Sequence, residues 1–368
     1  MFEGERLKNV KKICETWMFK KDVFRGEDKG KEEGGLNFFY EKIKNIDFSA
    51  PINAFTNRLD NFKHIYKFSK SEQVSGSICF FGGVFTSLLH HGYIKNIEHL
   101  FTFAFCYMLI DHFLDDDSIS STSKERSMKK IFSILSNSSF SLGNTENTKD
   151  EDGDLVISEE IIKRYRDMVE DTECIGEIKE LFRAELEGSK ICKNKNWERD
   201  IYFNNACEKG GYTALVIGRI IGIKKEDTEG SEGALRLGSL IQLVDDFLDI
   251  SDDISLGIYT LIQYDIDHGN LDEYIIYCLE EINSLPDTYN FFKPILTLGV
   301  VLGLHDLLKN VVSEEQPNLK RTSFLSSELQ ELLSPYMIFD SETSKDTLNE
   351  WFHEKLYSYI EEKLYKLF

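Results

Sequence analysis

The stretches 97–116, IEHLFTFAFCYMLIDHFLDD, and 234–250, ALRLGSLIQLVDDFLDI, are apolar around much of a helical circumference. A surface helix would show one polar face at the 3.6-residue period, so these read as helices buried in the centre of a bundle. Strand-like alternation and glycine-punctuated hairpins are scarce. No proline lies between Ile52 and Leu285, so the residue that most strongly interrupts helices is missing from the middle of the chain. The expected fold class is all-α, a single large helical bundle around a central apolar cavity.

Three polar interruptions, at 26–35 (GEDKGKEEGG), 136–154 (SNSSFSLGNTENTKDEDGD) and 224–233 (KKEDTEGSEG), read as solvated loops between helices. The second is long enough to be a disordered insertion. None resembles a domain linker, because similar helical pattern resumes on both sides. The expected organisation is an N-terminal extension over 1–50, a helical domain over 51–312, and a C-terminal closure of that domain over 313–368. The closure ends in the helix LNEWFHEKLYSYIEEKLYKLF, at 348–368.

A formal charge of -21 would repel nucleic acid phosphates and anionic lipid headgroups, so neither is an expected partner. An anionic diphosphate would be repelled as well unless divalent cations first reversed the local sign. The seven cysteines are odd in number and form no C-x-x-C pair, which suits a reducing compartment. The opening MFEGERLKNVKK has no apolar h-region, and no apolar run stands out at the roughly 18 residues that a membrane span needs. A soluble, cytoplasmic protein without an integral membrane segment is expected.

The chemistry lies in an internal repeat. Leu109 to Asp115 reads LIDHFLD and Leu243 to Asp249 reads LVDDFLD, so both copies follow L-[I/V]-D-x-F-L-D. Asp111 and Asp115 in one, and Asp245 and Asp249 in the other, are four residues apart, which on a helix puts their Cβ atoms about 5–6 Å apart on one face. Asp116 and Asp117 extend the first copy; Asp246, Asp252 and Asp253 extend the second. Like charges at this spacing beside apolar residues destabilise a helix unless something cationic compensates. Lysine and arginine are missing from both heptapeptides and their flanks, so the natural counter-ion is a hard divalent cation on carboxylate oxygens. Magnesium takes one or two carboxylates with waters and phosphate oxygens, so two carboxylate strips suit a diphosphate held through Mg2+. His90, His91 and His112 have no second cluster at zinc-ligand spacing and read as packing or surface residues.

DHFLDDD at Asp111 to Asp117 and QLVDDFLDISDD at Gln242 to Asp253 resemble the paired aspartate-rich motifs of class I isoprenoid enzymes. That superfamily holds trans-prenyl diphosphate synthases, squalene and phytoene synthases, and class I terpene synthases. The first motif is nearest in style to the squalene/phytoene synthase-like branch; the second resembles both the D-D-x-x-D of prenyl synthases and the Q-L-x-x-x-x-x-D of phytoene synthases. CEKGGYTALVIGRIIG at Cys207 to Gly222 also looks familiar, being similar to a helix that is broken near the pocket in relatives, with Gly210 and Gly211 as the break.

The resemblance implies a class I isoprenoid synthase fold with both motifs at the mouth of an apolar cavity. Its metal ligands would be Asp111, Asp115, Asp116, Asp245, Asp246, Asp249 and Asp253, with Asp111, Asp115, Asp245 and Asp249 catalytic and three Mg2+ ions bound with the substrate diphosphate. Lys209, Arg219, Gly210 and Gln242 would serve the substrate, and Phe103 and Tyr107 would face a carbocation with their rings. Arg58 joins Lys209 and Arg219 as a candidate for a second diphosphate. The expected reaction is ionisation of a C15 or C20 prenyl diphosphate by a terpene synthase, with cyclisation or rearrangement of the cation. The N-D-x-x-S-x-x-x-E triad of microbial cyclases is absent, which keeps open a prenyltransferase joining prenyl diphosphates head-to-tail or head-to-head. A third reading is a non-catalytic prenyl-diphosphate binder. The resemblance also allows a homodimer.

Overall fold

The computed structural model describes residues 2–17, parts of 51–58, 70–91, 93–116, 118–136, 159–312 and 326–333. Among them the protein is all-α, with no strand. The loop expected at 26–35, nearly all of that at 136–154, the closing helix at 348–368, Asp117 and the side chain of Asp252 lie outside the described residues. The chain divides into two compact units, each carrying one aspartate motif.

The first-motif unit draws on 48–190 and 208–238. It contains α2 (Lys70–His91), α3 (Ile97–Asp115), α4 (Ser121–Ser136), α5 (Glu159–Thr172) and nearly all of α6 (Ile175–Ile191). The C-terminal part of α7 (Arg199–Ile221) and the N-terminal part of α8 (Thr228–Leu248) complete it. Helix α3 is the core: from Leu100 to Leu114 only Tyr107, Asp111 and His112 escape burial. This is what an all-round apolar helix requires, and α2 and α5 supply the cover. The rings of Phe55, Phe80, Phe101 and Phe105 interlock there with centroids 4.5–6.1 Å apart. Among the described residues one helix, α3, is long and apolar enough by length and composition to span a membrane; 67% of that window is buried inside the protein, as a core helix is, so no clear membrane segment is seen.

Two local expectations are corrected. Helix α7 runs unbroken through Gly210 and Gly211. The glycine that close approach requires is Gly238 of α8, where a Cβ would stand 2.1 Å from the Gly210 carbonyl oxygen. The loop expected at 224–233 is shorter, because Thr228 is already helical. Asp227 supplies the cap, accepting the Gly230 N–H at 2.9 Å, so the Thr228-to-Gly233 text enters the helix despite two glycines.

The second-motif unit draws on 1–47, 191–207 and 239–368. Helix α1 (Phe2–Trp17) packs on α11 (Leu271–Ser284), α12 (Phe292–Val312) and α13 (Ser327–Leu333). Arg6 fixes it by pairing with Glu273 at 2.8 Å and Glu280 at 3.2 Å, so these residues of the expected extension belong to the unit. Helix α9 (Ile250–Leu256) packs on α12, and α10 (Leu261–His268) on α11. The α10 carboxylate of Asp265 is fully buried and held bidentately by Arg199 at 2.7 and 2.8 Å.

Candidate functional site

In the first-motif unit Asp111 and Asp115 share the last turns of α3, one turn apart, where the helix leaves its apolar core. Tyr107 stands one turn before Asp111, and Phe103 one turn before that, stacked on the Tyr107 ring at 5.7 Å and 18°. The Tyr107 hydroxyl donates to Glu185 Oε1 of α6 at 2.5 Å. The other Glu185 oxygen lies 2.9 Å from Lys209 Nζ of α7. The same ammonium is 3.5 Å from Asp111 Oδ1, too long for a good hydrogen bond, and that oxygen is buried without a hydrogen-bond partner. Asp116 leaves the helix and folds one oxygen back onto Ser118, accepting its N–H at 2.9 Å and its hydroxyl at 2.5 Å.

Burial pushes the Glu185 carboxyl up to about 7, with Asp111 adding to the rise and Lys209 opposing it. Desolvation works against the Lys209 charge, yet Glu185, Asp111, Tyr107 and Asp115 outweigh it and hold the ammonium well above its ordinary value. Asp115 reaches the surface, but partial desolvation first and Asp111 second raise its carboxyl. The group is a lysine set among three carboxylates.

In the second-motif unit α8 ends at Leu248 and α9 begins at Ile250, with Asp249 between them at φ -91°, ψ 4°. The helical segment that carries the second motif is therefore bent at Asp249. The i to i-4 bonding persists, since the Asp249 N–H donates to Asp245 O and the Asp253 N–H to Asp249 O, both at 2.9 Å. Asp245 and Asp249 are exposed, Asp246 and Asp253 half-buried. Gln242 donates to Asp246 Oδ1 at 2.7 Å. The back of this segment is packed closely: a Cβ on Gly299 of α12 would meet Val244 Cγ1 at 2.5 Å, and one on Gly303 would meet Phe247 at 3.0 Å.

Other candidates have structural partners. Arg219 is buried, its Nε donating to Glu177 at 2.9 Å and its Nη1 to the Ile223 and Lys224 carbonyls and Ser231 Oγ, which ties the turn after α7. Arg58 pairs with Glu98. The His91 Nε2–H donates to the Ile221 carbonyl at 2.7 Å.

Glu185 is the residue that sequence reasoning missed. Its signal was available: with Ile178, Leu181, Phe182 and Ser189 it occupies the buried stripe of α6, an acid in an apolar register. Among the described residues no three His, Cys, Asp or Glu side chains gather as a metal cage. Asp111 and Asp115, with one buried oxygen lacking a hydrogen bond, nonetheless fit a hard cation completed by water and phosphate oxygens, which is how magnesium binds. No protein-family model matches this chain, and no curated protein matches it.

Proposed function

We propose that the protein is a Mg2+-dependent class I terpene synthase that ionises a C15 or C20 prenyl diphosphate and cyclises or rearranges the resulting cation. The observation that carries this reading is the repeated L-[I/V]-D-x-F-L-D, with Asp111 and Asp115, and Asp245 and Asp249, each one turn apart in helical segments. Bound Mg2+ would supply Lewis-acid stabilisation of the departing diphosphate. Asp111, Asp115, Asp116, Asp245, Asp246, Asp249 and Asp253 would be its ligands, and three ions would accompany the substrate in this reading. Lys209 adds a fixed positive charge beside Asp111 for an anionic leaving group. The stacked faces of Phe103 and Tyr107 suit a carbocation in an apolar cavity.

A prenyltransferase is the second reading, favoured by the D-D-x-x-D spacing of Asp245, Asp246 and Asp249. One assay separates them. The protein is incubated with Mg2+ and farnesyl or geranylgeranyl diphosphate, alone and with isopentenyl diphosphate. Hydrocarbon or terpene alcohol from the single substrate is expected; a longer diphosphate, or a product joining two prenyl chains, selects the transferase. Asp111→Ala and Asp245→Ala should each abolish product, and full turnover by either variant removes the metal assignment.

A further inference from the structure

The Lys209 ammonium pairs with two anions and stands closer to one of them. It stands 2.9 Å from Glu185 Oε2 and 3.5 Å from Asp111 Oδ1. Lysine is a mobile point charge on a four-carbon stem, so its place is set by the surroundings rather than by its own geometry. Here the setting is rigid: Glu185 is 4% exposed, and its second oxygen is pinned by the Tyr107 hydroxyl at 2.5 Å. The consequence falls on Asp111, whose buried Oδ1 has no hydrogen bond although an ammonium stands beside it. A lysine that closed on this oxygen would form a charge-assisted bond that any incoming cation must break.

We propose that Glu185 is a positioning residue which keeps Lys209 from closing to hydrogen-bonding distance of Asp111, and so leaves Asp111 Oδ1 without a hydrogen bond that a divalent cation would have to break; the inference rests on the metal reading of the first motif. Tyr107 serves the same arrangement by fixing the Glu185 carboxylate. Without the charge at 185, Asp111 is the nearer remaining anion for Lys209, and a movement of about 0.6 Å brings the ammonium to the 2.9 Å of a charge-assisted bond.

The test uses Mn2+ alone, followed by electron paramagnetic resonance, counting only the binding that Asp111→Asn removes, together with a crystal structure of Glu185→Gln. The expected result is a Lys209 Nζ in hydrogen-bonding contact with Asp111 in that variant and an Mn2+ affinity about tenfold lower, the size of effect that outer-shell partners of a metal site have. An unmoved Lys209 or an unchanged affinity overturns the proposal while leaving the metal reading intact. A wild-type chain whose Mn2+ binding is indifferent to Asp111→Asn overturns both. Should Glu185→Gln fail to fold, Tyr107→Phe releases one Glu185 oxygen without changing charge; weakened Mn2+ binding supports the proposal, and unchanged binding overturns it.

Discussion

The Tyr274 hydroxyl of α11 donates to the Leu243 carbonyl of α8 at 2.5 Å, two residues before Asp245. The ring is buried and meets Phe247 edge-on at 5.9 Å and 78°. Burial raises the phenol well above its usual value, so it is a protonated donor at any working pH. Helical bonding already gives the Leu243 carbonyl one donor, so losing the hydroxyl removes a bond without orphaning an acceptor. Tyr274→Phe is therefore expected to cost about 1 kcal/mol. Tyr274→Ala also empties the space behind the acidic segment and should cost about 3–5 kcal/mol. Urea unfolding midpoints check both, and equal costs would mean that packing of the ring contributes nothing.

Glu185 gives a pH dependence of stability whose sign is fixed by the direction of its shift. Its folded-state carboxyl is raised from 4.5 to about 7, chiefly by burial. A raised acid binds its proton more tightly in the folded protein, so its contribution is fully present below pH 4.5 and is lost as pH rises through about 7. The loss is at most about 3 kcal/mol. Glu185→Gln keeps the shape without the titration, so wild type should lose more stability between pH 5 and pH 8 than the variant does. Denaturant unfolding at the two values measures this, and parallel losses would refute it.

The helical class was legible because the long proline-free apolar text leaves few alternatives, and α3 spans nearly the stretch that the composition marks. Tertiary contacts set the rest. Gly210 and Gly211 suggest a break because glycine costs a helix about 1 kcal/mol each, yet α7 runs through both. Asp249 has no glycine or proline beside it to announce the bend. Arg219 reads as a phosphate ligand by charge alone, although its apolar neighbours in IGRIIG mark a buried register where an arginine must find internal acceptors. Lys209 was recognisable as a candidate; its pairing with Glu185 depends on two helices meeting, which local pattern does not encode.

Arg199 and Asp265 make a second, independent test of buried charge. Burial raises the Asp265 carboxyl despite the opposing guanidinium. Arg199→Ala would leave that carboxylate without its bidentate partner, a loss of about 3–5 kcal/mol for a buried pair broken on one side. The carboxyl can escape part of this cost by taking up a proton, so the destabilisation should be larger at pH 8 than at pH 5. A cost equal at both values would show that lost arginine packing, not an uncompensated charge, is responsible.

Gly238→Ala decides whether α7 and α8 cross as closely as their backbones indicate. An added Cβ would stand 2.1 Å from the Gly210 carbonyl oxygen and 2.5 Å from the Ala214 Cβ, and neither neighbour is the end of a flexible side chain that could turn aside. Propensity alone favours alanine by about 1 kcal/mol in a helix interior, so the two effects have opposite signs. Overpacking should win, giving a net loss of about 1–3 kcal/mol. Gly82 of α2 is the control, because a Cβ there meets nothing within 4 Å and Gly82→Ala should stabilise. Unfolding midpoints of the two variants moving in opposite directions support the close crossing. A stabilising Gly238→Ala would instead mean that α7 and α8 stand farther apart at this point.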